Sequence, residues 1–381
     1  MDSTASGEPE TTNGAVTSRD RFLGCLLGGA VGDALGAAVE FQSRAAILET
    51  FGPDGITDYA PIYGGLGRIT DDTQMTLFTA EGLLRAWVRG CLRGITTYTG
   101  VTEFAYQRWL ATQGIAPPDR VDLVREPGWL YQQRALHARR SPGNTCLSAL
   151  RAMPTHDGFA QNDSKGCGGV MRVAPVGLFH WNLREHHSAR DTFRLGCELA
   201  ALTHGHPTGQ LTAGVLAVLI RELADGVSLP EALDAAKPIL REERGHHETL
   251  HAIKLAEDLA AGNVPPEKAI ARLGEGWIAE EALAISLYCA LVARDFRHGV
   301  ILAVNHDGDS DSTGSITGNL LGTLYGVDAI PHQWLAPLEL RDVITEIAED
   351  LHDFRSESWW DDHDAKGEWV EDRISRKYPG T

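Results

Sequence analysis

Two stretches of the chain carry glycine at every fourth position: Gly24, Gly28, Gly32 and Gly36, then Gly314, Gly318, Gly322 and Gly326. Residues four apart on an α-helix lie along one side. Each set therefore forms a bare stripe against which another backbone can lie closely. Glycine inside a helix costs about 1 kcal/mol relative to alanine, so this many glycines call for a packing reason. The spacing predicts two central helices, each touching a close neighbour. The first stretch lies within Phe22 to Val39, which is apolar or glycine apart from Asp33. A lone carboxylate at mid-span is costly in lipid, so the segment reads as a buried helix and not a membrane span.

Most other periodic segments also have helical spacing. In Leu77, Ala80, Leu84 and Val88 the apolar positions recur at three and four residues. Similar stretches lie near 98–112, 128–139, 188–203, 208–225, 229–240, 247–261, 279–293, 296–304, 312–325 and 334–353. Strand-like alternation is scarce, and the loops Gly52 to Gly67 and Ala116 to Pro127 are rich in glycine or proline. The fold class expected is all-α. At 381 residues and 43% apolar content the chain can bury a large core, and its length leaves one domain or two open.

Lysine and arginine total 34 against 52 for aspartate and glutamate, giving a net charge of −18. That field repels nucleic acid and anionic membrane surfaces. An anionic ligand would need local help from backbone N–H groups or a metal ion. The six cysteines are scattered with no C-x-x-C pair, which reads as reduced thiols in a cytoplasm. Residues 1–19 carry Asp2, Glu8 and Glu10 among serine, threonine and glycine. Such a stretch is the reverse of a signal-peptide start and is expected to be a disordered tail.

Two acidic clusters carry the candidate chemistry. In GRITDDTQMTLFTAEGL, from Gly67, the residues Thr70, Asp71 and Asp72 directly precede an apolar-periodic run. A helix N-cap explains one such residue. Adjacent Asp71 and Asp72 suit hard cations better than a single capping bond. In NHDGDSDSTGSITGNLLGTLYG, from Asn305, Asp307, Asp309 and Asp311 alternate and lead into Ser312 and Thr313. Like charge so crowded is destabilising unless a cation offsets it. An EF-hand is excluded, because counting from Asp307 puts Ser312 where glycine is required and Gly318 where the bidentate glutamate is required. A solvated acidic loop is the bland alternative.

Two weaker motifs compete. His247, Glu248 and His251 match H-E-x-x-H, the helix of zinc proteases. The surroundings, Arg241 to His246, look like a solvated helix face, and Lys254 stands where the metzincin glycine would be. The segment SKGCGGVMRVAP, Ser164 to Pro175, is a glycine-rich loop of the kind that holds a diphosphate, without the Walker ending. His204 and His206 precede Pro207 as in a structural turn.

Taken in order, GCLLGGAVGDALG with Glu40, TDDTQMTL, SPGNTC, KGCGGVMRVAP, THGHPTG and GDSDSTGSITGNLLGTLYG resemble the ADP-ribosylglycohydrolase family from Arg21 to about Tyr325. The resemblance implies a single compact helical domain, placed at residues 20–353; the segment 354–381, charged and bearing Trp359, Trp360 and Trp369, has no counterpart in it and reads as a packed terminal helix or a surface appendage. It implies a binuclear metal centre of two magnesium or manganese ions held by Thr70, Asp71, Asp72, Asp309, Asp311 and Ser312. Asp309 and Glu40 are the expected catalytic carboxylates, with Asp309 or a neighbour as base. Gly166, Cys167, Gly168, Gly169 and Val170 would wrap the diphosphate and proximal ribose, with His204 lining the cleft. Cys167 stands where relatives often have asparagine. The implied reaction is metal-dependent hydrolysis of the bond joining ADP-ribose to an acceptor. An arginine side chain leads as acceptor, with serine-linked substrates or a non-catalytic ADP-ribose reader as alternatives. The partners expected are an ADP-ribosylated protein as substrate and ADP-ribose as product, with no membrane or nucleic acid, for a monomeric enzyme.

Overall fold

The computed structural model describes residues 15–118, 121–123, 125, 127–153, 158–355 and 373–380. In chain order its α-helices are α1 (Ser18–Gly36), α2 (Arg44–Phe51), α3 (Asp71–Arg93), α4 (Tyr98–Thr112), α5 (Asn144–Ala152), α6 (Ala174–Asn182), α7 (Ala189–Ala201), α8 (Pro207–Ala224) and α9 (Leu229–Arg241). They continue as α10 (His247–Ala261), α11 (Pro266–Leu273), α12 (Ala279–Leu291), α13 (Phe296–Val304), α14 (Ser310–Tyr325), α15 (His332–Leu335), α16 (Arg341–Asp353) and α17 (Arg373–Lys377). Among the described residues there is no strand, only isolated bridges such as Gly166 with Ile278. The all-α reading holds. No helix is long and apolar enough to cross a membrane among the described residues.

The two glycine stripes pack on each other. α1 and α14 run antiparallel, so that a Cβ added at Gly24 would meet Gly322 O at 2.1 Å, at Gly28 Gly318 O at 2.5 Å, and at Gly32 Gly314 O at 2.0 Å. Any side chain along this seam would hold the backbones apart. Asn319 locks it by donating its amide to Cys25 O at 2.8 Å. α1 is buried from Phe22 to Gly36, with α13 and α12 against α14, and α16 against α1.

Sequence patterning misplaced several boundaries. α1 starts at Ser18, within the expected tail, because Thr17 and Asp20 form a capping box. The pattern at 128–139 is two 3-10 turns, Leu130–Gln132 and Arg134–Leu136. The one at 334–353 is broken between α15 and α16, where Leu340 takes a left-handed φ of 57°. α17 is a packed terminal helix against α3. Next to it, fully buried Tyr378 donates to Asp350 Oδ2 at 2.6 Å, and the Lys377 ammonium sits 3.6 Å from the Trp129 ring centre. Trp359, Trp360 and Trp369 lie outside the described residues.

Candidate active site

The tight α1–α14 seam decides where the carboxylates meet. Asp311 lies in the first turn of α14 and Asp309 is its N-cap, accepting from Ser312 N at 3.3 Å. Asp71 and Asp72 open α3, whose N-cap is Thr70. The link between the two is Asp33, deep in α1. Its carboxylate accepts from Thr70 N at 3.0 Å, from Thr70 Oγ1 at 2.8 Å, from Thr73 N at 3.1 Å and from the Thr73 hydroxyl. The start of α3 is thereby fastened to the helix that carries α14.

A second brace comes from Glu339, which accepts from Arg68 at 2.7 Å and from Arg140 Nη2 at 2.9 Å. Arg140 also donates to Ile69 O at 3.0 Å, while Asp71 N donates to Arg140 O at 3.3 Å. The loop following Arg140 is thus held over α3, and Gly143 N donates to Asp71 Oδ2 at 3.2 Å.

These elements enclose a cleft of about 600 Å³ lined by Glu40, Asp71, Asp72, Asp309, Asp311 and Ser312 on its acidic side. Oxygens of Glu40, Asp309 and Asp311 all lie within 4.8 Å of one another, close enough to share a cation. Gly166, Cys167, Gly168 and His204 also line it, with the Cys167 thiol 2.8 Å from Asp309 Oδ2. The glycine loop is anchored by Cys167 N to Trp277 O at 3.1 Å and by Ala279 N to Lys165 O at 2.8 Å. A Cβ on Gly168 would meet Cys146 Sγ at 2.8 Å and His204 Cε1 at 3.2 Å, so the loop packs closely against these two side chains.

Burial first, then repulsion from Asp311, pushes the carboxyl of Glu40 up to about 10 and that of Asp33 up to about 7. The same causes, in the same order, hold Asp71, Asp72 and Asp309 well above the usual carboxylate range. Asp72 Oδ1 is buried with no hydrogen-bond partner. A hard dication satisfies such a set: it offsets the repulsion, takes the orphaned oxygen and prefers carboxylate and hydroxyl donors. His204, in contrast, is held at about 3 by burial and by Arg172, and its Nδ1 lies 2.8 Å from Thr203 Oγ1. Its ring is a neutral wall.

Three of the residues expected at the site sit differently from the rest. Thr70 is fully buried, with its hydroxyl given to Asp33, and Gly169 and Val170 are buried as well; none of the three lines the cleft. Asp307, the first of the alternating acids and not one of the expected ligands, accepts from Arg44 N at 2.9 Å and does not line the cleft. Sequence reasoning missed Asp33 as a brace, since an isolated acid in an apolar run carries no motif. It also missed Phe41 and Trp277, which stack at 5.2 Å on the cleft rim. Replacing Asp33 by alanine strands the buried donors of Thr70 and Thr73, each costing about 1–3 kcal/mol. The expected result is a melting temperature lower by several degrees, with a smaller loss for Asp33→Asn, read by thermal unfolding.

The family model for ADP-ribosylglycohydrolase matches residues 15–360. The chain belongs to the ADP-ribosylglycohydrolase family. Among its relatives, the ADP-ribosyl-[dinitrogen reductase] glycohydrolase of Rhodospirillum rubrum is 27% identical over 84% of this chain and 91% of its own. The ADP-ribosylarginine hydrolase Tri1 of Serratia proteamaculans is 25% identical over 88% of this chain and 79% of its own, and the human ADP-ribosylhydrolase ARH3 24% over 89% and 94%. A solved structure titled ADP-ribosylglycohydrolase-related protein complex superposes with a TM-score of 0.63 at 31% identity, covering 88% of this chain and 98% of that one. This ADP-ribosylglycohydrolase is accordingly a hydrolase of single-domain helical fold.

The H-E-x-x-H segment has a different use in this ADP-ribosylglycohydrolase. Glu248 accepts from Lys165 Nζ at 2.8 Å and from Thr208 Oγ1 at 2.8 Å, which ties α10 to the base of the glycine loop. His247 and His251 point to solvent. His247→Ala is expected to leave ADP-ribose release within about twofold of wild type, as for other surface substitutions away from the site; a zinc-proteolytic role predicts loss of bound zinc instead.

Proposed function

We propose that the enzyme removes ADP-ribose from a modified arginine side chain, with divalent ions held by Asp71, Asp72, Asp309, Asp311 and Ser312. The observation that carries this reading is the convergence of carboxylates from two helix starts on one cleft that the glycine loop also lines. Arginine is favoured because one relative is named an ADP-ribosylarginine hydrolase. The loop at Gly166 to Gly168 admits a diphosphate close to its backbone, and the neutral His204 ring excludes water from that wall. Bound ions would supply positive charge that holds the ribose hydroxyls and acidifies water.

Glu40, on the acidic side of the cleft, delivers a proton to the departing acceptor nitrogen as the C1″–N bond breaks. Asp309 takes the proton of the water whose oxygen adds to C1″. Release of ADP-ribose from arginine- and serine-modified test proteins, in magnesium, manganese or EDTA, tests the assignment. Arginine-specific, metal-dependent release supports it; tight ADP-ribose binding without release from either would establish a reader.

Protons and ions compete for the same carboxylates. In the metal-free protein the folded state holds protons that the unfolded chain, with carboxyl pKa values of about 4, has lost. Stability carried by Glu40 is therefore present at low pH and falls as pH rises toward its folded value of about 10. The gain in melting temperature on adding magnesium to EDTA-treated enzyme is expected to grow from pH 7 to pH 9, measured by calorimetry. A gain that shrinks over that range would refute carboxylate-held metal.

A further inference from the structure

Two aromatic rings stand at the rim of the cleft and take no part in the proton transfers. Phe41 follows Glu40 directly in the chain, and Trp277 lies just before α12; their rings stack at 5.2 Å with 18° between the planes, and both line the cleft. Trp277 covers one face of Phe41, yet Phe41 is still 69% exposed. Its backbone is held at a φ of 67°, a left-handed angle that a bulky residue rarely takes. Ser141, which also lines the cleft, is left-handed at 51°. Such conformations persist where the surrounding structure over-determines them, and they cluster at active sites and ligand clamps. Trp277 is firmly placed. Its indole N–H donates to Glu275 Oε2 at 3.1 Å and its carbonyl accepts from Cys167 N at 3.1 Å, while Glu281 accepts from Glu275 N at 3.0 Å and from Gly276 N at 3.3 Å.

We infer that the stacked pair of Phe41 and Trp277 is the platform on which the guanidinium of the modified arginine lies, and that it sets a preference for arginine over a hydroxyl-bearing acceptor. The inference rests on reading the enzyme as an arginine-directed hydrolase. An oxygen of Glu40 lies within 4.8 Å of those of Asp309 and Asp311, and a group that gives a proton to the acceptor nitrogen must come within hydrogen-bond reach of it. Phe41 is one residue further on, about 3.8 Å along the backbone. A guanidinium is planar, delocalised and weakly hydrated, and it stacks on aromatic faces; the ring quadrupole attracts it when it lies within about 6 Å of the ring centre. Exposed Glu275, bonded to the indole, adds a carboxylate of the kind that pairs with a guanidinium. The net charge of −18 favours the approach of such a cationic side chain. A serine acceptor brings neither plane nor charge, and the platform adds nothing to its binding.

The test uses the full-length chain with magnesium, ADP-ribosyl-arginine and a serine-linked ADP-ribosyl peptide as substrates, and Phe41→Leu, which removes the aromatic face and keeps an apolar side chain. KM for ADP-ribosyl-arginine is expected to rise about five- to thirtyfold with kcat within about twofold, the split produced when an interaction is lost equally from ground and transition state. The Kd for ADP-ribose, which carries no guanidinium, should stay within about twofold by calorimetry, and Phe41→Tyr, which keeps a ring, should lose less than Phe41→Leu. Ile95→Ser, an exposed apolar side chain that does not line the cleft, is the control. An unchanged KM in Phe41→Leu overturns the inference, and so does an equal loss of ADP-ribose affinity, which would make the pair a cover over the nucleotide. Wild type alone decides where the variant folds poorly: butylguanidine should compete with ADP-ribosyl-arginine at least about fivefold more strongly than butylamine, and equal competition overturns the platform. The two readings fail separately. Arginine-linked release with no effect of Phe41→Leu refutes the platform alone, whereas release from the serine-linked substrate only, or from neither, refutes the arginine reading and the platform with it.

Discussion

Gly318→Val should abolish the folded enzyme. A Cβ at Gly318 would stand 2.0 Å from Gly28 O and 2.6 Å from Gly28 C, both backbone atoms in the middle of a buried helix. No rotamer relieves a clash at Cβ, so α1 and α14 must move apart by more than an ångström along their length. That opens a void between helices that are buried from Phe22 to Gly36 and from Ser310 to Thr323. Overpacking alone costs about 1–3 kcal/mol where side chains can shift. Here the obstacle is backbone, and the loss is expected to exceed about 4 kcal/mol, a large part of a total of about 5–15 kcal/mol. Insoluble expression, or a melting temperature lower by more than about 10 °C, is the expected outcome. Gly90→Ala in α3 is the contrast. Its Cβ would meet the Thr96 methyl at 3.2 Å, and the change should stay within about 1 kcal/mol of wild type because helix propensity improves. Equal melting temperatures for Gly318→Val and wild type would show that the seam is looser than its geometry requires.

Asp309→Ala should leave a folded protein with little activity. The side chain caps α14, accepts from the Cys167 thiol and shares with Glu40 and Asp311 the space where a cation fits. Its removal costs the cap about 1 kcal/mol, partly offset because one buried, mutually repelling carboxylate disappears. The melting temperature in EDTA is therefore expected to change little. Catalysis is different: the substitution deletes both the proposed base and a proposed ion ligand, and losing one preorganised group of this kind lowers kcat by about 10²–10³-fold. ADP-ribose release is expected to fall by at least that factor, and excess magnesium should not restore it. Asp307→Ala, whose carboxylate bonds Arg44 N outside the cleft, should retain most activity. A wild-type rate for Asp309→Ala would move the chemistry to another carboxylate.

The contrast between Asp307 and Asp309 shows where reading the sequence stopped. The sequence is sufficient to establish the all-α class, two glycine-striped central helices, two acidic helix starts and a bare glycine loop, because each is a local pattern with a fixed period or a fixed motif. The family followed from the order of those motifs. Nothing local told α1 and α14 that each was the other's neighbour. Cys25 and Asn319, which bond across the seam, are separated by 294 positions. Nor did alternation reveal which of Asp307, Asp309 and Asp311 enters the cleft, since Gly308, at φ 118°, breaks the regular backbone between them. Asp33 became a brace, Thr70 turned inward and Trp277 reached the rim only through contacts between distant segments. Periodicity belongs to one helix at a time, whereas the meeting of buried charges is decided by how closely two backbones can approach.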